Sequence, residues 1–198
     1  DNLTNAEHVL IVEGEDDKIA LEKLLPSMST KIKRAIQNGT FIIDYIGGAG
    51  NLPYKLSFYR NLQCKYHVLL DNDDAGRHAG SEAERQGLLD VRNVTYAICN
   101  GSPNAEIEDC YNKAVYENAI LNEFGVNINV AEFRGNKKWS DRIAGCFLSQ
   151  GKLWNDAMEK RVKLVVANEI SEEVDTVLNE HKRSSMDALV TSLETLLS

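Results

Sequence analysis

The chain has 198 residues, 43% of them hydrophobic and 26% charged, enough apolar material for one globular domain with a sizeable core. Its 22 basic and 30 acidic residues leave a net charge of −8, which excludes a general attraction to phosphate; a nucleic-acid enzyme of this charge needs a metal and a local basic patch. No run of about 18 apolar residues occurs and no secretory pattern opens the chain, so neither a membrane span nor export is expected.

After a polar lead, His8-Val-Leu-Ile-Val12 reads as a buried strand ending at Glu13-Gly14. Glu15-Asp16-Asp17 opens a helical pattern, with Ile19, Ala20, Leu24 and Leu25 at helix spacing and Pro26 closing it. Acidic residues in a first turn complement the helix dipole, which accounts for Glu15, Asp16 and Asp17 without a site. Glu13 is different, because a plain strand-to-helix turn has no use for a carboxylate. Residues 30–38 form a basic helical connection. Thr40 to Ile46 is a second strand, followed by Gly47-Gly48-Ala49-Gly50-Asn51. Such a loop either presents backbone N–H groups to an anion or supplies positive φ in a tight turn; it has neither a P-loop ending nor GxGxxG spacing. Pro53 suits the first turn of a helix running to about Asn61.

In the stretch Tyr66 to Gly76, the apolar run Val68-Leu69-Leu70 delivers Asp71, Asp73 and Asp74 to the end of a third strand, and Ala75-Gly76 breaks it. Asp71 and Asp73 lie two apart and would share one face of an extended segment, a spacing of hard oxygen ligands that suits Mg²⁺ or Mn²⁺. An acidic turn is the competing account. A helix over Arg77 to Leu88, a fourth strand over Val94 to Cys99 and a turn at Asn100 to Asn104 follow. Ala105 to Asp109 then heads another helix, whose Glu106, Glu108 and Asp109 are again open to a dipole explanation. The alternation of strand and helix predicts an α/β fold on a parallel sheet with right-handed crossovers.

From Ala114 onward the composition changes, and strand-like alternation returns only over Val126 to Phe133. Arg134, Lys137, Lys138 and Arg142 form a basic group around Trp139, on a helical pattern with Ile143, Phe147 and Leu148. Lys152, Lys160, Arg161 and Lys163 form a second, on a pattern with Val162, Val165, Val166 and Ile170; a charged helix face is usually only solvated. Residues 172–197 read as helical to the end. Their stripe of Met186, Leu189, Val190, Leu193, Leu196 and Leu197 is either the last core helix or a contact surface for a partner. Cys64, Cys99, Cys110 and Cys146 show no CxxC or Cys/His pairing, which argues against a zinc site and for free thiols in a reducing cytoplasm. The first residue is Asp rather than Met, so the chain is expected to be processed or part of something longer.

Glu13, Asp71/Asp73 and Glu106/Glu108 all fall at or just past predicted strand ends, which converge on one rim in a parallel sheet. Carboxylates gathered there repel one another unless something positive sits among them. Val12-Glu13-Gly14 with Asp17, and Asp71-Asn72-Asp73 closing a strand, resemble the two signature motifs of Toprim domains, shared by topoisomerases of types IA and II, bacterial primases and several nucleases. A finer resemblance is to the OLD-family (overcoming lysogenization defect) nucleases and the related Gabija endonuclease. It rests on Glu-Gly-Glu-Asp-Asp at 13–17, Gly-Gly-Ala-Gly-Asn at 47–51, Asp-Asn-Asp-Asp-Ala-Gly at 71–76, Glu-Ile-Glu-Asp at 106–109, and a late Lys in Val-Lys-Leu-Val-Val-Ala at 162–167.

That resemblance covers residues 8–112 closely and the remainder loosely. It implies a Toprim, Rossmann-like parallel sheet flanked by helices, with a C-terminal helical extension. The catalytic domain would span residues 1–115, and a mainly helical region over 116–198 would pack on it and contribute a basic residue. It further implies cleavage of DNA phosphodiesters with two Mg²⁺ or Mn²⁺ ions, Ca²⁺ being a candidate inhibitory occupant. Glu13, Asp17, Asp71 and Asp73 would hold metal directly or through water. Glu108 would belong to the second metal site with Glu106 beside it, and Lys163 would supply positive charge to the transition state. Gly48 and Gly50, with Lys137 and Lys138, are the candidate DNA contacts. Family members also carry an ABC-type ATPase, and no Walker A sequence occurs here. The chain thus resembles the nuclease half of such a protein or a stand-alone relative, with DNA, an ATPase domain and further copies of itself as partners and phage defence as the setting.

Other classes fit less well. The chain is too short for a topoisomerase scaffold, lacks primase modules, and departs from the haloacid dehalogenase pattern after Asp71-Asn72-Asp73. A receiver-like phospho-signalling domain would explain Asp16, Asp17 and Asp71 but not Glu13-Gly14 or the helical tail; it would bind beryllofluoride at a single Mg²⁺. A non-catalytic Toprim module that only binds DNA would have little reason to keep its carboxylates clustered.

Overall fold

Four short apolar segments pair into one parallel sheet: β1 (His8–Val12), β2 (Phe41–Tyr45), β3 (Lys65–Asp71) and β4 (Val94–Ala97), in the order β2-β1-β3-β4. The computed structural model describes residues 6–198; the start of the polar lead lies outside the described residues. The helices are α1 (Glu15–Met28), α2 (Thr30–Gln37), α3 (Leu52–Asn61), α4 (Asp74–Arg85), α5 (Glu117–Phe124), α6 (Trp139–Ser149), α7 (Asp156–Glu169), α8 (Val174–Val177) and α9 (Ser184–Leu196).

The pairing register sets Val12 opposite Tyr45, Ile11 opposite Val68, and Asp71 opposite Ala97, so all the strands deliver their carboxyl ends to one rim. The chain leaves β1 for β2 on one side and returns to β3 on the other. Strand order therefore reverses between β1 and β3, which is where an open α/β sheet forms a crevice. Glu13 and Asp71 stand on either side of it.

Side chains alternate across the sheet with period two. Val9, Ile11, Val68 and Leu70 enter a core with Leu56 and Tyr59 of α3 and Ala79 and Ala83 of α4. Leu10, Val12, Ile43 and Leu69 face the other way, into a larger core that also takes Leu21 and Leu24 of α1, Val162 and Val166 of α7, and Leu189 and Leu193 of α9. Each fully buried Val, Leu or Ile among them contributes roughly 1.5–3 kcal/mol. Because both faces of the central strands are covered, Val9–Val12 and Val68–Leu70 are continuous apolar runs rather than alternating ones. The larger core draws on residues before and after position 116 alike, and this holds α7 against the sheet's carboxyl rim.

Several expectations are corrected. Pro26 lies inside the last turn of α1, where only one helix hydrogen bond is lost, and Ser29 then caps α2 by accepting from the Ile32 N–H. Helix α4 begins at Asp74, ahead of Arg77, because Asp73 is its N-cap and accepts from the Gly76 N–H at 2.9 Å. Residues 105–109 do not head an α-helix but form a 3₁₀ turn, Ile107–Cys110. The N–H groups of Glu106 and Trp139 both donate to Asp109 Oδ2, at 2.9 and 3.1 Å, and Arg142 takes Oδ1, which pins the turn to α6.

Val126 and Ile128 are buried as their alternation implies, but residues 126–133 pair with no strand among the described residues. The Gln150 side chain satisfies both the N–H and the carbonyl of Asn127 instead. The carboxyl-terminal helix is broken between α8 and α9, where the Asn179 N–H donates to the Cys110 carbonyl at 2.9 Å. Met186, Leu189 and Leu193 of α9 are fully packed, so the stripe is in the main a core helix.

Candidate metal centre

Glu13 follows the last residue of β1, and its Oε1 accepts from the Asp71 N–H at 2.9 Å. The Glu13 carboxylate is thereby tied to the backbone at the end of β3, across the switch point. The close approach of α4 depends on Gly76: a Cβ there would meet the Asp71 carbonyl oxygen at 2.1 Å and Glu13 Oε1 at 3.0 Å. Asp71 Oδ1 lies 3.3 Å from the Ile107 N–H, which ties the end of β3 to the 3₁₀ turn.

That turn carries Glu108 inward. Carboxylate oxygens of Asp16, Asp17 and Glu108 lie within 4.8 Å of one another, all three side chains being buried. Asp17 also accepts from the Gly14 N–H at 2.9 Å. Asp16 therefore has a place in the cluster that helix-dipole reasoning had denied it; only a three-dimensional juxtaposition with a turn some ninety residues on reveals it.

Lys163, projecting from α7, is the counter-charge. Its Nζ lies 3.4 Å from Glu106, 3.4 Å from Glu108 and 4.0 Å from Asp71, with the side chain 14% exposed. Lys160 lines the mouth of the same cleft. Glu106 is engaged at both oxygens: Oε2 accepts from the Ser140 N–H at 2.7 Å, while Oε1 accepts from the Ser140 hydroxyl at 3.0 Å and from Lys138 at 3.2 Å. Lys138 also reaches Asp73 at 2.9 Å. Ser140 was not legible as part of this network; as the second residue of α6 it offers a free helix-terminal N–H.

A cleft of about 370 Å³ opens beside these groups, bordered by Glu13, Asp16, Asp17, Gly48, Asp71, Glu159, Lys160 and Lys163. Gly47 and Gly48 take φ of +70° and +120°, so the glycine-rich loop is a tight turn whose rim faces the cleft. Gly50 and Lys137 are exposed and do not border the cleft; the Lys137 carbonyl serves as an acceptor for Arg142. No histidine lines the cleft, and His67 is buried against the Thr95 hydroxyl at 2.8 Å.

The electrostatics follow from crowding. Burial, and then the neighbouring Asp16, pushes the Asp17 carboxyl up to about 7. Burial likewise lifts Asp71 and Glu108 well above the ordinary carboxylate range against the pull of Lys163, and it lifts Glu13 as well. Glu106 goes the other way: burial opposes its charge, but Lys163, Lys138 and the Ser140 donors outweigh it. Lys163 is held protonated because Glu108, Asp71 and Glu106 overcome its own burial.

The residues present fit a hard divalent cation. Every donor is a carboxylate oxygen, and Glu108 keeps one buried oxygen, Oε2, with no protein partner. Such an atom is costly, so the arrangement without a cation leaves the cluster incomplete.

A parallel sheet with carboxylates gathered at its switch point defines an α/β domain of the Toprim class. Residues 6–73, which include Glu13, Asp17, Asp71 and Asp73, match the family model described as "Overcoming lysogenization defect protein-like, TOPRIM domain". Among solved structures it is similar to the C-terminal region of the Burkholderia pseudomallei OLD protein, with a TM-score of 0.50 and 14% identity over 96% of this chain and 98% of that one. At that identity the likeness is one of fold. No curated protein sequence matches the chain. No helix among the described residues is long and apolar enough to cross a membrane.

Proposed function

We propose that the protein is a divalent-metal-dependent endodeoxyribonuclease that hydrolyses DNA phosphodiesters by a two-metal mechanism. It would act in the cytoplasm as the nuclease portion of an OLD-family ATPase–nuclease, or as a stand-alone relative. One observation carries this: Glu13 and Asp71 meet at the β1/β3 switch point beside buried Asp17 and Glu108, and Glu108 retains an oxygen that no protein group satisfies.

Glu13, Asp17, Asp71 and Glu108 would hold Mg²⁺ or Mn²⁺, with Asp16 at hand as a further oxygen donor; Asp73, whose two oxygens already accept from the Gly76 N–H and Lys138, would act through water. When bound, such ions supply an activated water and charge stabilisation for the leaving oxygen. The protein's own groups do the positioning. Glu106, already bonded on both oxygens, serves better as the post that holds Lys138 and Lys163 than as a free ligand. Lys163, held protonated at the rim by its carboxylate neighbours, would offset negative charge developing on the phosphoryl group. Gly48 leaves the cleft wall low enough for a backbone phosphate to approach, and exposed Lys137 would meet the DNA backbone outside it. In this division residues 1–115 carry the carboxylates, and residues 116–198 contribute Lys137, Lys138 and Lys163.

Mn²⁺-dependent nicking of supercoiled plasmid tests the proposal. The parent chain is expected to convert plasmid to nicked or linear forms with Mn²⁺ and not with chelator, and Asp71→Ala is expected to do neither. Cutting by Asp71→Ala at the parent rate would overturn it.

A further inference from the structure

Tyr111 ends the 3₁₀ turn that carries Glu108, and its side chain is 5% exposed. Its hydroxyl has no hydrogen-bond partner, and neither has Glu108 Oε2. Both residues line one small void together with Asp16, Asp17 and Lys163, and that void has no room for a water molecule. The pairing of orphans is chemically specific: the phenol has a proton to give, and the carboxylate oxygen can only accept. Buried polar groups are almost always satisfied, so two complementary orphans around one void mark a contact made in another state of the site.

A cation would create that state. In the present arrangement Lys163 draws Glu108 through its other oxygen, Oε1, at 3.4 Å. A divalent ion taken up by Asp16, Asp17 and Glu108 competes with Lys163 for the carboxylate, which is then free to turn. Carboxylates that ligate metals are usually held by a hydrogen bond from behind. The void between them has no space for a bridging water, so a bond from the hydroxyl to the carboxylate would be direct.

Resting on the metal-binding proposal above, we propose that Tyr111 is a positioning residue, its hydroxyl donating to Glu108 once Asp16, Asp17 and Glu108 close on a divalent cation. Tyr111 touches neither the cation nor the substrate. Its contribution is to metal affinity, and it is absent from the metal-free protein.

The test is Mn²⁺ titration of the whole chain, read as metal-free melting temperature and as apparent Kd by calorimetry, for the parent and for Tyr111→Phe. The expected result has two parts of opposite sign. Tyr111→Phe melts at the parent temperature or above it without metal, because it deletes an unsatisfied buried hydroxyl, yet it binds Mn²⁺ about 10-fold or more weakly. An unchanged Kd overturns the role of Tyr111 while leaving the metal-binding proposal standing. A lower metal-free melting temperature also overturns it, since the hydroxyl would then have a partner in the empty site. If the parent itself neither binds Mn²⁺ nor gains stability from it, the metal-binding proposal falls, and the role of Tyr111 with it.

Discussion

Glu13 and Asp71 are 58 residues apart in the chain, and the carboxylate of the first accepts the backbone N–H of the second at 2.9 Å. The bond crosses the point where strand order reverses, so the rim of the sheet is closed by an acidic side chain rather than an apolar or neutral one. That carboxylate is thereby oriented at a fixed height above β3, with Asp17 and Asp73 as its charged neighbours.

Lys163 and Lys160 border the same cleft and differ in burial, and their alanine variants should separate. Lys163→Ala leaves Glu106 and Glu108 without their shared cation. Removing one partner of a buried pair costs about 3–5 kcal/mol, an upper limit here because the carboxylates can take up protons. Lowered metal-free stability and the larger loss of nicking turnover are expected for Lys163→Ala, with Lys160→Ala close to parent in stability. Melting curves and plasmid assays on the two variants check this; the reverse order of turnover would move the role to Lys160.

Gly76→Ala places a Cβ 2.1 Å from the Asp71 carbonyl oxygen, so β3 and α4 must separate. Overpacking of this kind costs about 1–3 kcal/mol, and here the strain falls on the residues proposed to hold metal. Both melting temperature and nicking should fall. Gly50→Ala is the control, since its Cβ meets nothing within 4 Å and should leave stability unchanged.

Asp17 makes the metal-free protein sensitive to pH. Its folded-state carboxyl titrates near pH 7 against an ordinary value of 3.8. The folded state therefore holds the proton more tightly, and the stability this provides is full below the ordinary value and lost as pH rises through about 7. Asp17→Asn is expected to raise the metal-free melting temperature at pH 8, to differ little from the parent at acid pH, and to lose part of the Mn²⁺-induced stabilisation. A metal-free variant less stable than the parent at pH 8 would show that the charge at this position is not under strain.

Much of this was readable before any coordinates. The runs at Val9–Val12 and Val68–Leu70 are unbroken apolar segments that suit strands covered on both faces, and each is followed by an acid, which locates the rim. Lys163 became a candidate through a family resemblance, and α7 brings it into the carboxylates. What was hidden is what depends on partners far along the chain. The dipole account of Asp16 was locally sufficient, and nothing near it in sequence announces Glu108. Residues 105–109 carry a good helix-start pattern, but Arg142 and the α6 N-terminus claim Asp109 and stop the helix at one turn. The alternation over residues 126–133 reports burial correctly, while the pairing partner it implies is a glutamine side chain.

The central claim is that acids from β1, β3 and the 107–110 turn form one cation site. Crystals grown with Mn²⁺ and measured for manganese anomalous scattering test it most directly. The account predicts anomalous peaks in the cleft, within ligand distance of Glu13, Asp71 and the Asp17–Glu108 group. Manganese bound only elsewhere, with these carboxylates free of it, would contradict the account.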